Sequence, residues 1–179
     1  RGDGITGGYL WSSLLSVRRR LFSLGGGHAP TPLPPTTQEK LSRCGDDAVY
    51  VRDVLPRLLG VSISAEVSFF ADAGQELYME FTALAEEYLA IADDGQGDLW
   101  LMHLRRGTMY FFDHGAWESP LTELAIDFWG FLQLADLMAQ WEDFLDEEPS
   151  DTSQAEEHLR NAMRELAPGL PETYPFALT

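Results

Sequence analysis

Residues 88–113 constrain the fold of this chain more than any other stretch. They hold an apolar run from Tyr88 to Ala92, then Asp93-Asp94-Gly95-Gln96-Gly97-Asp98, then a second apolar run from Leu99 to Leu104. Arg105-Arg106-Gly107 separates that run from a third, Thr108 to Asp113. Apolar runs of this length, bounded by turn residues, suit strands rather than helices. Glycine accepts positive φ and aspartate caps its own backbone, so residues 93–98 read as a turn and Arg105-Arg106-Gly107 as a hairpin turn. The second and third runs are apolar on both faces, which places them centrally in a sheet.

Upstream, Val61, Ile63, Ala65, Val67 and Phe69 alternate with Ser62, Ser64, Glu66 and Ser68. That is the period of one strand with one buried face, predicted over residues 61–70. Asp72-Ala73-Gly74 reads as a turn, and residues 76–82 suit strand or helix equally. Downstream, Ser119-Pro120 offers an N-cap and a first helical residue. Leu124, Phe128, Phe131, Leu132, Ala135, Met138 and Trp141 follow at three- and four-residue spacing. One long amphipathic helix packed on the sheet is predicted from Ser119. Ser153 with Glu156 forms a capping box for a last helix, with Ala155, Leu159, Ala162, Met163 and Leu166 as its stripe and Pro168 as its end.

The N-terminal part is more broken. Residues 1–9 are glycine-rich, and Leu14, Val17 and Leu21 mark a short amphipathic helix over Ser12–Leu24, stopped by Gly25-Gly26-Gly27. His28 to Pro35 carries four prolines and reads as an extended loop or insertion. Thr36 and Glu39 suggest a capping box for a turn or two of helix over residues 37–43. No internal repeat is legible.

Charge limits the partners. The chain has 179 residues and a formal net charge of −17. Residues 1–40 hold five basic and two acidic side chains, so the remainder carries −20. Such a chain is repelled by nucleic-acid phosphates, and Arg18-Arg19-Arg20 is too short for a nucleic-acid module. The same charge speeds encounter with a cationic partner; it also serves plain solubility. No apolar run is long enough to span a membrane, and no secretory leader is legible. Cys44 is the single cysteine, which excludes an internal disulfide and a cysteine-rich zinc site and suits a reducing cytoplasm.

Chemistry is hard to find. His28, His103, His114 and His158 occur in no nucleophile elbow and at no helical metal-ligand spacing. Asp113 and His114 are neighbours at a strand end and are expected to point to opposite faces. Asp93, Asp94 and Asp98 lack the spacing of a calcium loop, since a strand follows at Leu99. Neither a Walker loop nor a dinucleotide fingerprint is present. Cys44 reads as a small buried residue rather than a nucleophile. The sequence therefore predicts no catalytic, cofactor or metal residues. Among the aromatics, Trp129 and Trp141 are expected in the core, while Trp117, between Gly115 and Glu118, is expected at the surface.

The order of features over residues 88–132 resembles the SUKH superfamily, which includes yeast cell-wall regulators and many bacterial toxin-immunity proteins. The matching pieces are the Asp94-Gly95-Gln96-Gly97-Asp98 turn, Leu99 to Met102, Tyr110 to His114, Asp127-Phe128 and Phe131-Leu132. They cover about a quarter of the chain. Gly4 to Leu15 is similar, more weakly, to the family's glycine-rich loop. The family's N-terminal helix, with its leucine–proline and tyrosine pattern, is not legible before it. The chain starts at Arg1, and this region is expected to be cropped or divergent.

The resemblance implies a single α+β domain with a twisted, largely antiparallel sheet packed with helices. It would span residues 1–148, with a proline-rich insertion at about 25–37 and a helical extension over 149–179. It also implies a non-catalytic, cytoplasmic protein, monomeric or a small homo-oligomer, that binds and blocks a cognate toxin or effector, a nuclease being one class. Charge and expected exposure nominate Asp93, Asp94, Asp98, Trp117, Glu118, Glu142, Asp143, Asp146, Glu147 and Glu148 as contacts with a basic toxin domain. A regulatory scaffold binding endogenous partners is the second reading. A metal-assisted enzyme using carboxylates and His114 is the third. Neither nucleic acid nor a membrane is expected as a partner.

Overall fold

The computed structural model describes residues 30–45, 47–71 and 82–178. The helix expected over Ser12–Leu24, the glycine-rich stretches before residue 28 and the turn at Asp72-Ala73-Gly74 lie outside these residues. In chain order the elements are α1 (Pro35–Ser42), α2 (Asp47–Leu58), β1 (Ser62–Ser64), β2 (Val67–Phe69), α3 (Thr82–Glu87), β3 (Tyr88–Asp93), β4 (Leu99–His103), β5 (Thr108–Phe112), β6 (Leu121–Asp127), α4 (Phe128–Asp146), α5 (Ser153–Leu166) and α6 (Leu170–Thr173). The six strands form one sheet in sequence order, every neighbouring pair antiparallel. The fold is a single-domain α+β architecture, as the sequence predicts. Among the described residues no helix is long and apolar enough to cross a membrane.

The doubly apolar strands explain the layering. On one face Leu89, Ile91, Trp100, Met102, Met109 and Phe111 join the main core, against Phe131, Leu134, Ala135 and Met138 of α4. On the other face Tyr88, Ala90, Leu99, Leu101, Tyr110 and Phe112 form a second cluster, with Leu84 and Ala85 of α3 packed against it. Trp100 is the largest fully buried side chain. Its ring meets Phe111 at 4.8 Å and Phe131 at 5.2 Å between centroids, and its indole N–H donates to the Glu66 carbonyl at 2.7 Å. A buried aromatic with its one donor satisfied carries no desolvation penalty.

The segment after residue 148 shares this core. Ala155, Leu159, Ala162 and Met163 of α5, with Leu170, Tyr174 and Leu178, belong to the same cluster. The Trp141 indole N–H donates to the Leu178 carbonyl at 2.9 Å, and the Phe176 ring lies 5.3 Å from that of Phe111.

Three expectations are corrected. Residues 61–70 are not one strand but the tight hairpin β1–β2, with Ser62 opposite Ser68 and Ser64 opposite Val67. Ile63, Val67 and Phe69 still face the core, so alternation runs through both arms and hides the turn at Ala65-Glu66. The long helix starts at Phe128, not Ser119. Residues 121–127 are strand β6, in which buried Leu124 and Ile126 alternate with exposed Ala125 and Asp127. Leu124 satisfies the helical and the strand period alike, which is how the boundary was misread. The Asp127 carboxylate, accepting from the Gly130 amide at 2.7 Å, is the real N-cap. Neither predicted capping box forms at its helix: α1 is capped by Pro34 without a side-chain bond, and at α5 the Asp151 carboxylate takes the Ser153 amide. Helix α2 has no counterpart in the sequence reading, although Val51, Val54, Leu55 and Leu58 recur at helical spacing and are buried. Pro56 within that stretch obscures the pattern.

Candidate functional site

Strand register gathers several loops at one end of the sheet. Ser68 lies opposite Asp93 and Leu99 opposite both Asp93 and Phe112, while Phe112 lies opposite Leu121. The Ala65-Glu66 turn, the 94–98 turn and the 113–120 loop therefore share one edge. Asp127, opposite Thr108, marks the other end, and α4 starts there and runs back. The Ala65 amide donates to Glu142 Oε1 at 2.8 Å, which fixes the later part of α4 at the loop end. Thus the residues nominated from sequence lie toward one end of the sheet but across its width: the 113–120 loop joins β5 to the edge strand β6, the 94–98 turn follows the central β3, and Glu142 meets the β1–β2 turn at the other edge.

The 94–98 turn is built from its own aspartates. Asp94 is buried, and its Oδ1 accepts from the amides of Gln96 at 2.8 Å and Asp98 at 3.0 Å. Asp93 Oδ1 accepts from the Gly95 amide at 3.0 Å. Gly95 and Gly97 sit at φ 74° and 109°, where a β-carbon is strained. The exposure expected of Asp94 is corrected: it is a structural acid of the turn, not a surface contact. Asp94→Ala is expected to lower stability by about 2 kcal/mol in urea unfolding, and Asp94→Asn, which keeps the acceptor, by less than half of that.

Asp98 ties this turn to the next loop. Its Oδ1 accepts from the His114 amide at 2.9 Å and lies 2.6 Å from His114 Nδ1. The hydrogen bond to Asp98, and then its charge, raise the pKa of His114. A histidine raised in the folded state adds stability that is fully present below its unfolded pKa and is lost as pH rises through the folded one. NMR titration is expected to show His114 above the ordinary histidine value, and Asp98→Asn to bring it back. Contrary to expectation, Asp113 and His114 do not diverge, because β5 ends at Phe112 and both follow the turn. Ligand atoms of Asp98, Asp113 and His114 lie within 4.8 Å of one another. Asp113 Oδ1 accepts from the Gly115 amide at 2.8 Å, so these groups satisfy one another within the loop.

The loop is closed by the Asp113 amide donating to the Pro120 carbonyl at 2.8 Å and the Ala116 amide donating to the Asp113 carbonyl at 3.2 Å. It presents Trp117, 92% exposed, the large apolar side chain that the described residues leave open to solvent. Glu118 beside it is exposed too. At the end of α4, Asp143, Asp146, Glu147 and Glu148 are exposed, while Glu142 is half-buried. Burial pushes Glu142 up to about 7; the Ala65 amide opposes this, and a hydrogen bond to the Glu66 carboxyl adds to it. No basic residue occupies the last turn of α4, and Glu148 sits at φ 51°, a position that favours glycine. Carboxylates there oppose the helix dipole. Between Arg57 and Arg160 the only lysine or arginine residues are Arg105 and Arg106, which lie at the opposite end of the sheet, in the β4–β5 turn.

A half-open pocket lies at that opposite end, lined by Cys44, Tyr50, Met102, Arg105, Phe128 and Trp129 among others. Burial raises the Cys44 thiol, the reverse of what a nucleophile needs. Glu66 is the residue of the loop end that sequence reasoning missed, because it reads as an outward position of an alternating strand.

Comparison of the chain with protein-family models, curated proteins and solved structures finds no match.

Proposed function

We propose that this chain is an immunity protein of the SUKH type, which binds a cognate bacterial toxin or effector domain in the cytoplasm of the producing cell and blocks it by stoichiometric occlusion. The observation that carries the reading is the loop end: acidic, with one exposed tryptophan on a pinned loop and no lysine or arginine in the segments that build it. Exposed aromatics on ordered loops are the side chains that anchor protein interfaces. A surrounding field of one sign steers a partner of the other. A nuclease is the toxin class that suits it best, since clustered carboxylates stand in for the phosphates a nuclease binds.

The helix end supports the same reading. Asp146, Glu147 and Glu148 sit where they oppose the dipole, and Glu148 adopts a backbone conformation that costs a side chain energy. Acids placed at a cost to stability are intelligible as binding groups. The contacts proposed are Trp117 and Glu118 on the β5–β6 loop and Asp143, Asp146, Glu147 and Glu148 at the end of α4, with Asp93 between them; Asp94 and Asp98 hold the loops in place. The protein acts by occupancy, without turnover.

The test is affinity capture from lysate of its own organism at low salt, read by mass spectrometry, followed by activity assays on the captured protein. One basic toxin-like protein in equal stoichiometry, released by high salt and inhibited when bound, is the expected result. Several housekeeping proteins and no toxin would instead point to a scaffold.

A further inference from the structure

The pocket at the end of the sheet away from the acidic loops has a chemistry of its own. It opens between the segment after α1, the start of α2, the β4–β5 turn and the first turn of α4, and it holds about 180 Å³. Cavities of that order take a single benzene ring. Its walls include Val51, Met102 and Phe128, all buried, and the half-buried rings of Tyr50 and Trp129. These rings hold one another: Tyr50 meets Trp129 edge-on at 5.3 Å between centroids and lies 6.0 Å from Phe128. A wall of ordered rings accepts a flat aromatic group through edge and face contacts.

The mouth supplies charge. Arg105 lines the pocket and is exposed, and no carboxylate among the described residues forms an ion pair with it. Its turn is ordered: the Arg105 and Arg106 amides both donate to His103 Nδ1 at 3.2 Å, and the Gly107 amide donates to the His103 carbonyl at 2.8 Å. Arg106 is engaged elsewhere. Its guanidinium donates to the Tyr110 hydroxyl and lies over that ring, which belongs to the cluster on the other face of the sheet. The carboxylate in the lining, that of Asp127, is committed to the Gly130 amide at 2.7 Å as the cap of α4.

We propose that this pocket binds a small aromatic monocarboxylate, its ring against Tyr50, Phe128 and Trp129 and its carboxylate on Arg105. A guanidinium takes a carboxylate through two parallel hydrogen bonds. The net charge of −17 disfavours anions of higher charge, so one negative charge is matched to one arginine. The site is remote from the loop end and independent of toxin binding.

The experiment uses the full chain with 3-phenylpropionate as the probe and its neutral amide as the control, followed by calorimetry. The acid is expected to bind once per chain with a Kd of about 0.1–1 mM. The amide, which lacks the charge-assisted pair, is expected to bind about tenfold more weakly. Arg105→Gln brings the acid to the level of the amide and leaves the amide unchanged. Arg106→Gln removes the same charge one residue away and is expected to weaken the acid by less than about threefold, as a screened surface charge does. Cys44, the chain's single cysteine, lines the pocket and reports occupancy. At about ten times Kd, the acid is expected to slow alkylation of Cys44 by iodoacetamide about tenfold, by mass action. Equal affinity for acid and amide, equal losses in the two arginine variants, or binding that leaves the Cys44 rate unchanged would each overturn the proposal. Absence of binding at about 10 mM probe would overturn it too.

Discussion

Trp100→Phe is expected to lower the unfolding free energy by about 3 kcal/mol, with an unchanged denaturant slope. Two terms add. The smaller ring leaves a void between Phe111 and Phe131, whose centroids lie 4.8 Å and 5.2 Å from that of the indole. Loss of the indole N–H leaves the Glu66 carbonyl without its 2.7 Å donor. A buried orphaned acceptor costs about 1–3 kcal/mol by itself. Domains of this kind hold about 5–15 kcal/mol in all, so the variant folds but melts early. A loss below about 1 kcal/mol would mean that Trp100 does not knit the β1–β2 hairpin to the central strands.

Trp117→Ala is expected to do the reverse: stability changes by less than about 0.5 kcal/mol, while affinity for the proposed toxin partner falls about thirtyfold or more. The ring is 92% exposed, so the folded state gains almost nothing from it. In a complex, a tryptophan buried at the centre of an interface is worth about 2 kcal/mol or more. Reversing the charge of the helix end, Glu147→Lys with Glu148→Lys, is expected to act on a different quantity. It slows association about tenfold and flattens the salt dependence while changing dissociation little, because rim charges steer more than they hold. Surface plasmon resonance at several salt concentrations separates these effects. Equal affinity for Trp117→Ala would move the interface away from the loop end.

Much of the sheet was legible because its central strands carry their own boundaries. The Asp94–Asp98 turn and the Arg105-Arg106-Gly107 turn fix β3, β4 and β5 to within a residue or so. Apolar residues on both faces matched the two clusters that flank the sheet. Boundaries set by tertiary contact were not legible. The turn at Ala65-Glu66 is held by a hydrogen bond from the Ala65 amide to the Glu142 carboxylate, far along the chain, and no local pattern encodes it. At residues 121–127, Leu124 fits two periods at once, and only pairing with β5 selects the strand. The candidate site divides in the same way. Charge and glycine placed Trp117 correctly at the surface, but Asp93 is half-buried and holds the Gly95 amide, and sequence offers no means to tell it from Asp94, which turns inward to hold two amides. Nor does it show Glu66, whose partner Glu142 comes from a different element.

The central claim is that this protein neutralises one toxin domain by occupying it. The most direct measurement is a titration of the captured partner's activity against this protein at partner concentrations well above Kd. The account predicts a linear fall to zero at one equivalent with the wild type, and a rightward, curved profile with Trp117→Ala. Activity that persists with the protein in excess, or inhibition at far below one equivalent, would contradict it: the first denies blockade and the second demands turnover.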